Sequence, residues 1–401
     1  MKIICVGAGA SGLFFACLSA AKGHEVLLIE SNEKVGRKLF ITGKGRCNLT
    51  NQCAVRECVD NVVSNPKFLF SALSAWTSED TMNFFSSRGC PLKVERGNRV
   101  FPQSDKASDI VDCLYNECRK RHVTIRFGET VRSVSKKGET FVVETQSHRY
   151  EGDALVIATG GKSYPQTGST GDGYRFAEAF GHTVVPPVSA LCPLRIQEPI
   201  SMAMTKLTLK NVTLTATSGK FRKSVFGDLE FLPRAITGPI ALTMSSYINR
   251  LSDVRLTLDF KPALSEETLD ARLVREIQKN PNGDLRALLS TLLPLDIIPF
   301  FLNGKKFDEK KPLNSIKKEE RREILMVLKS FPLTYLGLDA IEKGIVTSGG
   351  IAVNEINAKT MESKKVPGLY FIGEVLDVDA LTGGFNLQLS FATAHAAAEA
   401  V

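Results

Sequence analysis

The first thirty residues constrain this chain more than any other stretch. Lys2-Ile3-Ile4-Cys5-Val6 is a short apolar run with β-branched residues and reads as a buried strand. Gly7-Ala8-Gly9-Ala10-Ser11-Gly12 follows at once, and the apolar and small residues from Leu13 to Lys22 predict a helix. Glu25-Val26-Leu27-Leu28-Ile29 is a second strand, with Glu30 at its C-terminal end. Gly7 makes the tight turn, Gly9 lets the backbone approach a pyrophosphate, and Gly12 lets the helix pack close to the strand. The helix N-terminus at Ala10 and Ser11 presents free N–H groups and a positive dipole to phosphates. Glu30, 18 positions after Gly12 and followed by Ser31, can accept both hydroxyls of an adenosine ribose. A carboxylate there repels a 2′-phosphate, which argues against NADP. Strand, glycines, helix, strand and acid in this order specify a dinucleotide-binding βαβ unit.

With 401 residues the chain has room for two or three domains. Its 43% hydrophobic and 23% charged residues describe a globular protein, and no run approaches a membrane span. The odd count of nine cysteines, with no C-x-x-C pair, indicates neither a disulfide framework nor a zinc site. A reducing cytoplasm is the simplest compartment, and no metal is expected. Much of the net charge of +8 lies between Gly304 and Arg322. That stretch reads as a solvated helical face, or as a surface attracting an anionic substrate, membrane or RNA.

Further along, 31–60 reads as a long loop, Pro66–Arg88 as two short helices, and Lys106–Arg121 as a helix. Strands follow as a meander over 123–150, and Asp153–Ala158 is another buried strand. Composition shifts at Val185-Pro186-Pro187-Val188. The expected organisation is a cofactor domain over 1–189, a β-rich insert over 190–263, a helical segment over 264–345, and a return to the first domain over 346–401.

Three further segments point to a flavin. Gly36-Arg37-Lys38 and Thr42-Gly43-Lys44-Gly45-Arg46-Cys47-Asn48 form a basic, Gly-rich loop that can wrap a pyrophosphate and reach the flavin. The 153–161 strand ends in Ala158-Thr159-Gly160-Gly161, placing small residues at the carboxyl edge of a parallel sheet. Near the C-terminus a strand delivers Gly373 and Glu374. Gly383-Gly384-Phe385-Asn386 then starts a helix whose dipole can stabilise negative charge on reduced flavin. NAD enzymes have no use for this last element.

These blocks resemble the bacterial YhiN-like flavoprotein family, which includes aminoacetone oxidase and a bile-acid reductase. Gly-Arg-Cys-Asn-Leu-Thr-Asn over 45–51 and Gly-Gly-Phe-Asn-Leu-Gln over 383–388 are its most specific blocks here. The resemblance spans nearly the whole chain. It implies one tightly bound FAD in an α/β, glutathione-reductase-like Rossmann domain, interrupted by a β-barrel-like and helical insert, with the flavin facing a cleft. Lys44 and Ala380 stand where many relatives carry Gly. The expected cofactor contacts are Gly7, Gly9, Ala10, Ser11, Gly12, Glu30, Ser31, Lys38, Thr42, Gly43, Arg46, Cys47, Asn48, Val131, Ala158, Thr159, Gly160, Gly373, Glu374, Gly384, Asn386 and Leu387.

The chemistry expected is hydride transfer to or from flavin N5 on a small molecule. Amine or ketone oxidation and reduction of an activated C=C bond both fit. Only one dinucleotide fingerprint occurs, so NAD(P)H enters as a transient donor or the substrate itself reduces the flavin. Arg46, Cys47 and Tyr164 are the catalytic candidates. Beside Arg46 the Cys47 thiolate is favoured, unless the side chain simply packs on the ring. The Tyr164 hydroxyl can serve as acid or donor. No Ser-His-Asp constellation is apparent, His24 and His182 read as helix C-terminal partners, and His395 as structural. Nucleic acid is the less favoured partner, although the 304–322 cluster motivates an RNA-modifying flavoenzyme as alternative. A flavin-binding protein without turnover is the third reading. Oligomeric state is open.

Overall fold

The Lys2–Val6 run forms strand β1 in the computed structural model, which describes residues 1–305 and 307–401. It lies at the centre of a five-stranded parallel sheet. Glu25–Ile29 (β2) and Thr124–Arg126 (β3) continue on one side, and Ala154–Ile157 (β4) and Leu369–Phe371 (β5) on the other. Cys5 pairs with Leu28 and with Val156. A parallel sheet is covered on both faces, so its strands are apolar throughout. Helix α1, Ala10–Ala21, is correspondingly apolar around most of its circumference. It packs against Ala107–Lys120 (α2) and against Phe385–Ala400 (α3). Phe14 of α1 sits edge-on to Trp76, Phe84 and Phe391, at ring separations of 5.2, 4.9 and 5.1 Å. Trp76 and Phe84 are therefore core residues.

Two compact units result: Met1–Ala190 with Ile341–Val401, and Leu191–Ala340. The first adds the expected meander, Val131–Lys137, Thr140–Thr145 and Arg149–Gly152. The 31–60 stretch departs from the expected loop. It contains helices Arg37–Ile41 and Val55–Asp60 and the strand Thr50–Asn51. Elements of two to six residues are too short to display a periodicity.

The second unit is one seven-stranded antiparallel sheet with its helices. The order is Phe331–Leu333, Arg255–Asp259, Thr208–Ser218, Phe221–Leu232, Ala235–Thr237, Leu194–Ile196 and Tyr335–Leu338. The two edge strands are separated in sequence by Thr334 alone, so the sheet must curl until its edges meet, giving a barrel-like form. Those strands fall inside the stretch expected to be helical. Strand and helix residues share one core, in which Phe300 and Phe331 stack at 5.2 Å. No described helix is long and apolar enough to cross a membrane.

His182 follows a helix as expected, but its side chain caps nothing. Nδ1 lies 3.0 Å from Glu355 Oε2 and Nε2 lies 2.7 Å from Ser363 Oγ. The order Ser-His-Glu imitates a hydrolase triad. However, Ser363 Oγ accepts from the Lys365 and Val366 amides and is buried, which suits a structural tie. Burial pushes the His182 imidazole below its ordinary value, although Glu355 opposes the shift. His395 is shifted down by burial too. Both rings bind a proton more readily once unfolded. Their contribution to stability is therefore complete above about pH 6.5 and is lost as pH falls through the lower folded values. Tm should decline below about pH 6.5, and less steeply in His182→Gln; equal slopes in thermal melts would contradict this.

Candidate functional site

Close packing brings three strand ends to the start of α1. Gly7 has φ +105°, and a Cβ there would meet Ala158 O at 2.6 Å. A Cβ on Gly12 would lie 1.9 Å from Gly7 O, and one on Gly373 2.6 Å from Ser11 Oγ. Gly9 differs, because a Cβ there would meet nothing within 4 Å. Gly9 is also the N-cap of α1, with no side chain bonded to the first-turn amides. The opening thus exposes amides and positive dipole to an approaching anion.

Glu30 closes this loop from behind. Its Oε2 accepts the Ala8 amide at 2.8 Å, and Oε1 accepts the Asn32 amide at 2.9 Å and the Asn32 side chain at 2.6 Å. Oε1 is thereby committed within the protein. Oε2 retains an acceptor site, so Glu30 has capacity for one ribose hydroxyl where two were expected.

Lys38 and Glu374 face each other. Lys38 Nζ donates to Glu374 Oε2 at 2.7 Å and to Ser163 Oγ at 2.7 Å. Glu374 Oε1 also accepts from Ser163 Oγ at 3.1 Å and from the Thr347 amide at 2.9 Å. Thr347 Oγ1 in turn accepts the Lys162 and Ser163 amides. Ser163 and Thr347 are not among the residues expected from the sequence.

The 42–48 loop is tightly folded. Lys44 and Cys47 both have φ of 58°, and Tyr164 has 54°. Lys44 thus occupies a conformation that Gly adopts without strain, at a cost of about 1 kcal/mol. The Arg46 guanidinium is held by Asp105, at 2.8 Å from Nε, and by Glu95, and it lies 4.3 Å from the Phe101 ring centre. Its hydrogen bonds to Glu95 and Asp105 hold it further above its ordinary pKa. Cys47 is fully buried, and burial raises its thiol pKa well beyond the ordinary range. Burial thus opposes the expected thiolate, and the Arg46 charge is directed at two carboxylates. The neighbouring Asn48 Oδ1 is buried and unpartnered among the described residues, as is Thr159 Oγ1. Two orphaned polar atoms at the ends of the expected cofactor loops fit a bound group that supplies the missing partners. Val131 is buried at the start of its meander strand.

At the other end, Gly384 starts α3 with φ +99° and no side-chain cap, and a Cβ there would strike Thr50 O at 2.4 Å. The Asn386 amide group bonds Ala380 N, at 2.9 Å, and Ala380 O, at 2.7 Å. Its side chain therefore shapes the turn. Beside this turn lies a cavity of about 350 Å³ lined by Asn48, Asn51, Glu57, Asn61, Arg96, Gly97, Arg99, Thr382, Gly383 and Phe385.

The chain matches the HI0933-like protein Rossmann domain over residues 1–400. It is 33% identical to a ribosomal RNA dihydrouridine synthase of Escherichia coli, covering 99% of this chain and 96% of that one. It is 28% identical to a 3-dehydro-bile acid delta(4,6)-reductase of Clostridium scindens, over 100% and 98%. Among solved structures it resembles a flavocytochrome c3 fumarate reductase (17% identity, TM-score 0.53, 99% of this chain and 77% of that one). It also resembles a 3-ketosteroid-delta4-(5alpha)-dehydrogenase of Rhodococcus jostii (12%, TM-score 0.51, 99% and 97%). The structural likenesses establish the Rossmann-type fold. The chain belongs to the HI0933-like family, and with it to the FAD-dependent oxidoreductases expected from its motifs.

Proposed function

We propose that this protein is an FAD-dependent reductase that adds two hydrogens across a C=C bond conjugated to a carbonyl, and that the bond belongs to a uracil-type base in RNA. The polar lining of the cavity beside Gly383 carries this reading. Three amides, a carboxylate and two guanidinium groups suit a pyrimidine edge and its phosphates. A steroid body would strip water from the Glu57 carboxylate and the Arg96 and Arg99 guanidinium groups and offer no polar partner in exchange. The relatives' names support the reaction class. Dihydrouridine is uridine with its C5–C6 bond saturated, and a delta(4,6)-reductase saturates bonds conjugated to a ketone. The motifs alone favoured a small molecule. Similarity at 33% identity to a ribosomal RNA enzyme, over nearly the full chain, shifts the balance to RNA.

Bound FAD, once reduced, would supply the hydride. The open amides at Gly9 and α1 would hold its pyrophosphate, and the α3 N-terminus its pyrimidine edge. The Asn48 amide nitrogen and the Arg96 and Arg99 guanidinium groups would orient the substrate carbonyl. The second hydrogen arrives as a proton, for which the Tyr164 hydroxyl is the candidate donor. Cys47, protonated and enclosed, packs.

The test is anaerobic. The protein is reduced with NADPH or NADH, mixed with uridine-containing RNA or with a steroid 4,6-dien-3-one, and followed by flavin absorbance and by mass spectrometry of the RNA. RNA should reoxidise the flavin and gain two hydrogens. Reoxidation by the dienone alone would overturn the RNA reading, and reoxidation by neither would overturn the reductase. Tyr164→Phe should slow reoxidation roughly 100-fold with unchanged flavin content. Cys47→Ser should leave the rate unchanged. Glu374→Gln, which weakens the Lys38 tie, should lower the FAD retained on purification.

A further inference from the structure

We propose that the exposed face of the Leu191–Ala340 sheet binds single-stranded RNA, an inference that rests on the RNA reading above. Strand register sets out three rows across three neighbouring strands. Arg222, Thr217 and Arg255 form the first, Ser224, Thr215 and Thr257 the second, and Phe226, Thr213 and Asp259 the third. Alternation puts all nine on one side, and the intervening Leu214, Ala216, Leu256 and Leu258 are buried on the other. Phe226 is 63% exposed, beside the Thr213 and Ser224 hydroxyls and two rows from Arg222 and Arg255.

The charge on this face is available. Arg222, Arg255 and Lys220 of the hairpin turn have no acidic partner among the described residues. Asp259 is already paired with Lys329 at 2.7 Å, and Glu230 lies past the bulge between Leu209 and Val212. Between Leu191 and Ala340 the chain has 23 Lys and Arg against 17 Asp and Glu. The 304–322 cluster is a weaker candidate for an anion. Arg321 pairs with Asp270 at 2.8 Å and Lys311 pairs with Glu320. Lys306 and the Lys305 side chain lie outside the described residues.

An exposed aromatic on a sheet, with hydroxyls beside it and two guanidinium groups about 13 Å along the same face, matches the needs of an unpaired strand. Phe226 offers a stacking platform, Arg222 and Arg255 meet phosphates, and the Thr and Ser hydroxyls reach sugar 2′-hydroxyls or base edges. Arg222 and Phe226 are four residues apart, about 13 Å along the strand. An acidic protein surface would satisfy the arginines but would leave Phe226 without a π-face to stack on.

The full-length flavoprotein is titrated into labelled, uridine-rich single-stranded RNA at several salt concentrations, with polyglutamate as competitor. Phe226→Ala should weaken binding about tenfold with an unchanged salt slope. Arg222→Ala and Arg255→Ala should each lower that slope by about one. Flavin content and Tm should match the parent in all three, which separates lost contact from lost folding. Equal binding by the variants would overturn the proposal, as would displacement of RNA by polyglutamate at equal charge. If the parent saturates uridine in RNA and the variants do so equally, this face is wrong and the function stands. If the face binds RNA and no uridine is saturated, the function fails and the face stands.

Discussion

Four segments far apart in the sequence meet on the Glu374 carboxylate. It joins Lys38 of a five-residue helix, Ser163 of the loop after β4, Thr347 of the strand re-entering the first unit, and the Gly373 turn after β5. Glu374 is also the third contact of Gly161, whose Cβ would approach it to 2.9 Å. Hydrogen bonds to a charged group contribute about 1.5–3 kcal/mol each, so this one side chain fixes the relative placement of the expected flavin loops. Lys38 and Glu374 thus hold one another and tie their two segments together.

Interrupting the chain at 191–340 carries little penalty because the ends of the interruption are tied. Val184–Ala190 pairs with Val346–Ile351, so the strand that leaves the first unit lies beside the one that returns. The inserted sheet is tied in the same way, since its last two strands, separated by one residue, form its opposite edges. Each unit completes its own core, which leaves the outer face of the inserted sheet free to carry side chains selected for something other than packing.

The parallel sheet was legible because its signals are dense and local. Apolar runs, three glycines at fixed spacing and Glu30 all report one βαβ unit, and Gly7, Gly12 and Gly373 prove to sit where a Cβ has no room. The Ser163 and Thr347 tie was hidden because its members are 184 positions apart and of common types. The ion pairs of Arg46 were hidden for a similar reason. Glu95 and Asp105, which hold it, come from a separate hairpin region that nothing near residue 46 reveals. The 304–322 cluster is conspicuous in the chain and partly neutralised in the fold, whereas Arg222 and Arg255 become neighbours only through sheet register.

We infer that the opening at Gly9, the orphaned Asn48 and Thr159 atoms and the uncapped α3 surround one FAD. The visible spectrum of the purified protein, followed by chromatography of the cofactor released on heating, tests it most directly. Flavin bands in the near-ultraviolet and blue, with FAD recovered in equimolar amount, are the expected result. A protein without those bands that takes up no added FAD, or one that yields another nucleotide, would contradict the account.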